Sequence, residues 1–186
     1  MTGWLPWGWT QPTYYNYGDN VYYSGDSVYY GDQAIATQQQ YADQAQQIAA
    51  SVPQDVKPAN DDWMSLGVFA VTQDGQASGA DPNLFIQLAV SKQGILAGTY
   101  QNTTSNQTQS LEGMVDKKSQ RAAWTVVGQK WPVMETGVYN LTQKSAPMLI
   151  HFANGQTQQW LMVHLDKPEE AAGDGNTPPA PAAEAQ

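Results

Sequence analysis

PMLIHFANGQTQQWLMVHL, residues 147 to 165, holds two apolar-rich runs joined across Asn154-Gly155. PMLIHFA (147 to 153) and TQQWLMVHL (157 to 165) have the length of strands and no helical period. Asn-Gly is the dipeptide favoured in a two-residue type I′ turn, where both central residues need positive φ. The stretch therefore reads as an antiparallel hairpin, and pairing centred on that dipeptide sets His151 opposite Gln158.

The same pattern extends backwards to Leu66. LGVFAVT (66 to 72), LFIQLAVS (84 to 91), ILAGTYQN (95 to 102), SLEGMVD (110 to 116), RAAWTVV (121 to 127) and VMETGVYNL (133 to 141) succeed one another between turn residues. Links such as Lys92-Gln93-Gly94 and Asp116-Lys117-Lys118-Ser119 are short enough to make sequence neighbours antiparallel. Eight such strands left open would expose two edges; closing them gives an up-and-down barrel, filled by its own side chains or holding one small ligand. The expected fold is mainly β: an eight-stranded antiparallel up-and-down meander, closed like a lipocalin barrel, behind a short β-hairpin and one α-helix. An open or two-layer sheet with the helix over one face is the competing arrangement.

The hairpin is read from YGDNVYYSGDSVYYGD (17 to 32), in which two Val-Tyr-Tyr segments flank Ser24-Gly25-Asp26. TQQQYADQAQQIAAS (37 to 51) predicts a helix, with Thr37 and Gln40 spaced as a capping box. Its apolar stripe, Tyr41, Ala45 and Ile48, suits a helix laid against another surface. Pro53 and Pro58 then mark a linker. The chain divides into an aromatic-rich segment (1–35), the helix (36–51), the linker (52–62), the barrel (63–167) and an acidic tail (168–186) whose Pro, Ala and Gly composition predicts disorder.

Charge follows the same boundaries. The net charge is -9, and all of the excess lies in the two flanks, leaving residues 63–167 near neutral. With Arg121 as its sole arginine, the chain has no basic surface for nucleic acid. The absence of cysteine removes disulfides and thiolate metal sites, and no apolar run is long enough for a membrane-spanning helix. The start, MTGWLPWGWTQP, is broken by Pro6, Gly8 and Pro12 and lacks a basic n-region, so taken alone it leaves the protein in the cytoplasm.

Signals for catalysis are sparse. His151 and His164 read as partly exposed strand histidines, too far apart along the hairpin to share a metal. Glu112, Asp116 and Glu135 form no matched acid-base pair, and no nucleophile motif accompanies either histidine. The Gly-Asp repeats at Asp19, Asp26 and Asp32 lack EF-hand spacing and suit Asx turns. No enzyme and no cofactor is expected.

Two resemblances add to this reading. GTY (98 to 100), AAWTV (122 to 126), TGVY (136 to 139) and TQQWLM (157 to 162) resemble, in order and spacing, strands of the avidin and streptavidin family. That resemblance implies a ligand-stacking role for Trp160; two further stacking positions fall on Gly128 and Glu135, and the strand bearing the family's ureido-binding carboxylate has no counterpart. Trp160, Tyr100 and Glu135 are the candidate ligand contacts of the barrel. YNYGDNVYY (15 to 23), QYADQAQQIA (40 to 49), LGVFAVTQDGQAS (66 to 78), FIQLAVSKQGILAGTYQN (85 to 102), EGMVDKKSQRAAWTV (112 to 126) and HFANGQTQQWLMV (151 to 163) resemble a family of uncharacterised planctomycete proteins described as mu-protocadherin-like or cell-surface proteins. This second resemblance implies a bacterial cell-envelope or extracellular setting, reached through a signal peptide upstream of Met1.

Two functions follow as expectations. One is a noncatalytic envelope or surface interaction module, with Trp4, Trp7, Trp9, Tyr22 and Tyr29 contacting envelope polymer or a protein partner. The other is a small-ligand carrier using the barrel lumen around Trp160 and Tyr100. A polar lumen with an open mouth favours the carrier, and one plugged by aliphatics favours the structural role.

Overall fold

In the computed structural model, which describes residues 12–73 and 83–165, the meander closes. A first sheet is formed by β1 (Val21–Ser24), β2 (Ser27–Tyr30) and β3 (Gln33–Thr37), followed by α1 (Gln38–Ala50). The barrel strands are β4 (Trp63–Gln73), β5 (Leu84–Ser91), β6 (Ile95–Asn102), β7 (Gln107–Asp116), β8 (Arg121–Val126), β9 (Val133–Gly137), β10 (Ser145–His151) and β11 (Thr157–His164). Each pairs antiparallel with the next, and β11 returns to β4 to complete a closed eight-stranded barrel. Closure leaves no edge to protect in the main sheet.

Three details differ from the sequence reading. The small sheet has a third strand, β3, reached through the Gly31-Asp32 turn, with Gly31 at φ 63°. The sixth run, 133 to 141, ends as a strand at Gly137, because Asn140–Thr142 turn as a 3-10 segment instead of continuing it. Most consequential is the last hairpin. Phe152 N–H bonds the Gln156 carbonyl at 2.8 Å, and His151 faces Thr157, not Gln158. Gly155 alone takes a positive φ there, 91°, so the loop has three residues and a glycine bulge in place of the type I′ turn. Because side chains alternate faces, this single-residue change puts Trp160 into the lumen and leaves His151 and Thr157 together on the outer wall.

Inward-facing side chains fill the barrel. Phe69, Leu88, Leu96, Trp124, Met148 and Met162 are fully buried in one continuous core. Tight coiling is possible because glycine occupies two inward positions on neighbouring strands. A Cβ on Gly98 would meet the Gln87 carbonyl oxygen at 1.8 Å, and one on Gly113 the Ala123 carbonyl oxygen at 2.0 Å. Neither obstacle is a flexible side chain. Gly113→Ala should therefore destabilise the protein by at least about 3 kcal/mol in denaturant melts. Gly155→Ala meets only a glutamine tip at 3.8 Å and should cost about 1 kcal/mol, the left-handed backbone penalty.

Candidate functional site

The outer face of β8 and β9 is not solvent-exposed, because α1 lies across it. Thr37 caps the helix as its spacing predicts: its hydroxyl accepts from Gln40 N–H at 3.0 Å, and the Gln40 side chain accepts from Thr37 N–H at 2.9 Å. Ala45 and Ala49 seat on Ala123 and Val133. Small residues on both surfaces allow close approach, and Ile48 remains partly exposed at the margin of the contact. Beside the helix, Tyr15, Tyr17, Val21, Val28 and Tyr41 form a second cluster with Leu149 of β10. The strand leading into the sheet is also tied down: Tyr15 N–H donates to the Asn140 side-chain oxygen at 2.9 Å, and the Asn140 amide donates back to the Tyr15 carbonyl at 2.8 Å. The Tyr15 hydroxyl donates to the Ser119 carbonyl at 2.6 Å.

Between these apolar clusters lies a buried polar row crossing four strands. Arg121 of β8 holds Glu135 of β9 through both carboxylate oxygens, Nε to Oε1 and Nη2 to Oε2, each at 2.9 Å. Its Nη2 also donates to the Tyr41 carbonyl at 3.0 Å, and its Nη1 to the Gln44 side-chain oxygen at 2.8 Å. Glu135 Oε2 accepts from His151 Nε2 of β10 at 2.7 Å, and His151 Nδ1 meets the Thr157 hydroxyl of β11 at 2.8 Å. The Tyr41 ring covers the guanidinium, 3.8 Å from centroid to Cζ, and meets His151 edge-on. Glu135 and His151 have no solvent exposure.

Burial alone would push the Glu135 carboxyl up from its ordinary 4.5, but the Arg121 charge and the His151 hydrogen bond overcome it and hold the group at about 2. Burial likewise works against the Arg121 charge, and Glu135 more than restores it, so the guanidinium stays protonated. Desolvation raises Tyr17 and Tyr41 well above the usual phenol range, and both hydroxyls are buried without a hydrogen-bond partner among the described residues. The Tyr41 phenol, an imidazole, a carboxylate and a guanidinium thus converge, with Glu135 and His151 sealed from solvent and Arg121 5% exposed. The arrangement can join the N-terminal unit to the barrel.

The expected site residues are dispersed. Trp160 and Tyr100 are each partly buried and pack against the lumen core, and the Trp160 indole donates to the Gln158 side chain at 3.0 Å. Glu135 faces away from them, on the outer wall. Tyr22 and Tyr29 pair across the first hairpin as parallel rings 5.3 Å apart at 7°, while Trp4, Trp7 and Trp9 lie outside the described residues, as does the acidic tail. His151, expected to be partly exposed, is buried at the centre of the polar row, and Glu135, expected to stand alone, is its partner. His164, partly exposed, bonds the carbonyls of Gln143 and Leu66 and packs on Phe69. Among the described residues no group of three or more metal-ligating side chains converges. No protein-family model, curated protein or solved structure matches the chain.

Glu135 should make the protein acid-sensitive in a defined window. Its folded pKa lies below its unfolded one, so its stabilisation, about 3 kcal/mol, is complete above pH 4.5 and drains away as pH falls towards 2. Urea melts across that range should show this loss, and Glu135→Gln should lack that part of the slope while being less stable at pH 7. Arg121→Met alone should cost about 3–5 kcal/mol, because it strands a buried carboxylate. Adding Glu135→Leu should recover a large part of that cost.

Proposed function

We propose that the protein is a noncatalytic interaction module of the cell envelope or cell surface, in which the barrel is a rigid scaffold and the N-terminal sheet is the contact surface. The observation that carries this reading is the filled lumen. Aliphatic side chains and Trp124 occupy the space in which a carrier would seat its ligand. The titratable cluster on the outer wall is covered over most of its length by Tyr41 and α1, with Glu135 and His151 sealed from solvent.

The contact surface is favoured by what the first sheet leaves uncovered. Val21 and Val28 turn towards the barrel, so by alternation Tyr22 and Tyr29 turn away from it. Tyr30 and Ile35 are among the exposed large apolar residues, at 42% and 46%. No basic residue precedes Lys57, so the surface combines aromatic rings with acidic turns and suits a neutral or cationic envelope polymer or protein better than an anionic one.

The test is co-sedimentation of the full chain with isolated planctomycete envelopes. The wild-type protein should pellet with them, and Tyr22→Ala with Tyr29→Ala should weaken binding about tenfold while the variant stays fully folded at the assay temperature, having lost only the cross-strand ring pair. A chain that stays in the supernatant, but whose Trp160 fluorescence saturates with a small apolar ligand, would overturn this in favour of a carrier.

A further inference from the structure

The polar row is closed on the barrel side but not at one corner of α1. Gln44, Gln47, Ile48 and Ser51 recur along one face of the helix and, with Asp116, Ser119 and Arg121, line a cleft of about 340 Å³ open to solvent. This is within the size range of small-molecule sites. We propose that this cleft binds a small zwitterion of the free amino-acid type, its carboxylate on Arg121 and Gln44 and its ammonium on Asp116.

Donor counting points to the carboxylate end. A guanidinium has five N–H groups, and four of Arg121's bonds are accounted for: two to Glu135, one to the Tyr41 carbonyl and one to Gln44. The remaining donor is on Nη1, the nitrogen bound to Gln44, whose side chain lines the cleft with that of Arg121. Arg121 is itself 5% exposed and held on the Tyr41 face, so this donor is fixed in direction, the condition for recognising a planar acceptor. The amide of Gln44 gives Arg121 its oxygen and so has its N–H groups to offer beside that donor.

The opposite polarity is supplied by Asp116 and the carboxyl end of the helix. Asp116 uses Oδ2 to accept from both the backbone N–H and the hydroxyl of Ser119, at 3.1 and 2.6 Å, which leaves Oδ1 for a ligand. The last turn of α1 carries no basic residue, and Ser51 ends the helix in the cleft, so its partial negative charge is not offset there. A ligand with only a negative charge would gain little at Arg121, which Glu135 already neutralises, and would be opposed by Asp116. One with only a positive charge would make no use of the fifth guanidinium donor. Ile48 supplies an apolar wall for a side chain between the two ends.

Individual L-amino acids at about 10 mM, titrated into the full-length labelled chain, provide the test by amide chemical shift. At least one should move the resonances of Gln44, Gln47 and Ser119, and its decarboxylated and N-acetylated analogues should bind about tenfold more weakly. Gln47→Trp, at an exposed helix position, should abolish the shifts by filling the cleft without changing the melting temperature; Asp116→Asn should weaken them. If no amino acid moves these resonances, or if Gln47→Trp leaves binding intact, the assignment is wrong.

Discussion

A guanidinium and a carboxylate removed from water would destabilise any small protein unless each met the other with nearly every hydrogen bond satisfied. Arg121 and Glu135 meet that condition only when α1 is in place, because the Tyr41 carbonyl, the Tyr41 ring and the Gln44 side chain complete the shell around the arginine. The barrel wall supplies the charges, and the N-terminal unit supplies the environment in which they can be buried. Without the helix, β8 and β9 would present a bare ion pair among alanines; without the pair, the helix would lose the polar anchor at its first turn. This mutual dependence fixes where the helix lies, how the tyrosine cluster packs against Leu149, and which face of the first sheet remains outward.

Much of the arrangement was legible in the sequence, and physical reasons separate what was from what was not. Strand order and closure follow from alternating apolar runs joined by short turns, and those patterns are local. The helix announced itself through Thr37 and Gln40, whose capping requires no tertiary contact. β3 was hidden because QAIAT has one β-branched apolar residue, Ile35, and the structure leaves it exposed. The register of the last hairpin does not follow from its dipeptide, because Asn-Gly serves two turn types, which differ by one residue and therefore in the face to which each partner points.

The polar row was the least legible part. Its members come from four strands, and its geometry depends on that hairpin register. A signal was nevertheless present: RAAWT places alanine on both faces of a strand, and small apolar residues on the outer face suit close approach of a covering element. The arginine at the start of that segment is the buried partner of an acid, and Glu135 is paired to it by two hydrogen bonds. Trp160 and the lumen are where the resemblance to ligand-binding barrels would put a site, whereas the polar chemistry lies on the outside wall.

The central claim is that the N-terminal unit and the barrel are one cooperative structure joined through this row. Native-state hydrogen exchange tests it most directly. Amides of α1 and of the Val21–Tyr30 hairpin should open with the same free energy as those of β8 and β9, and Arg121→Met should lower both sets together. If α1 opens at a free energy several kcal/mol below that of β8 while the barrel amides stay protected, the helix is an appendage and the buried pair does not hold the two parts together.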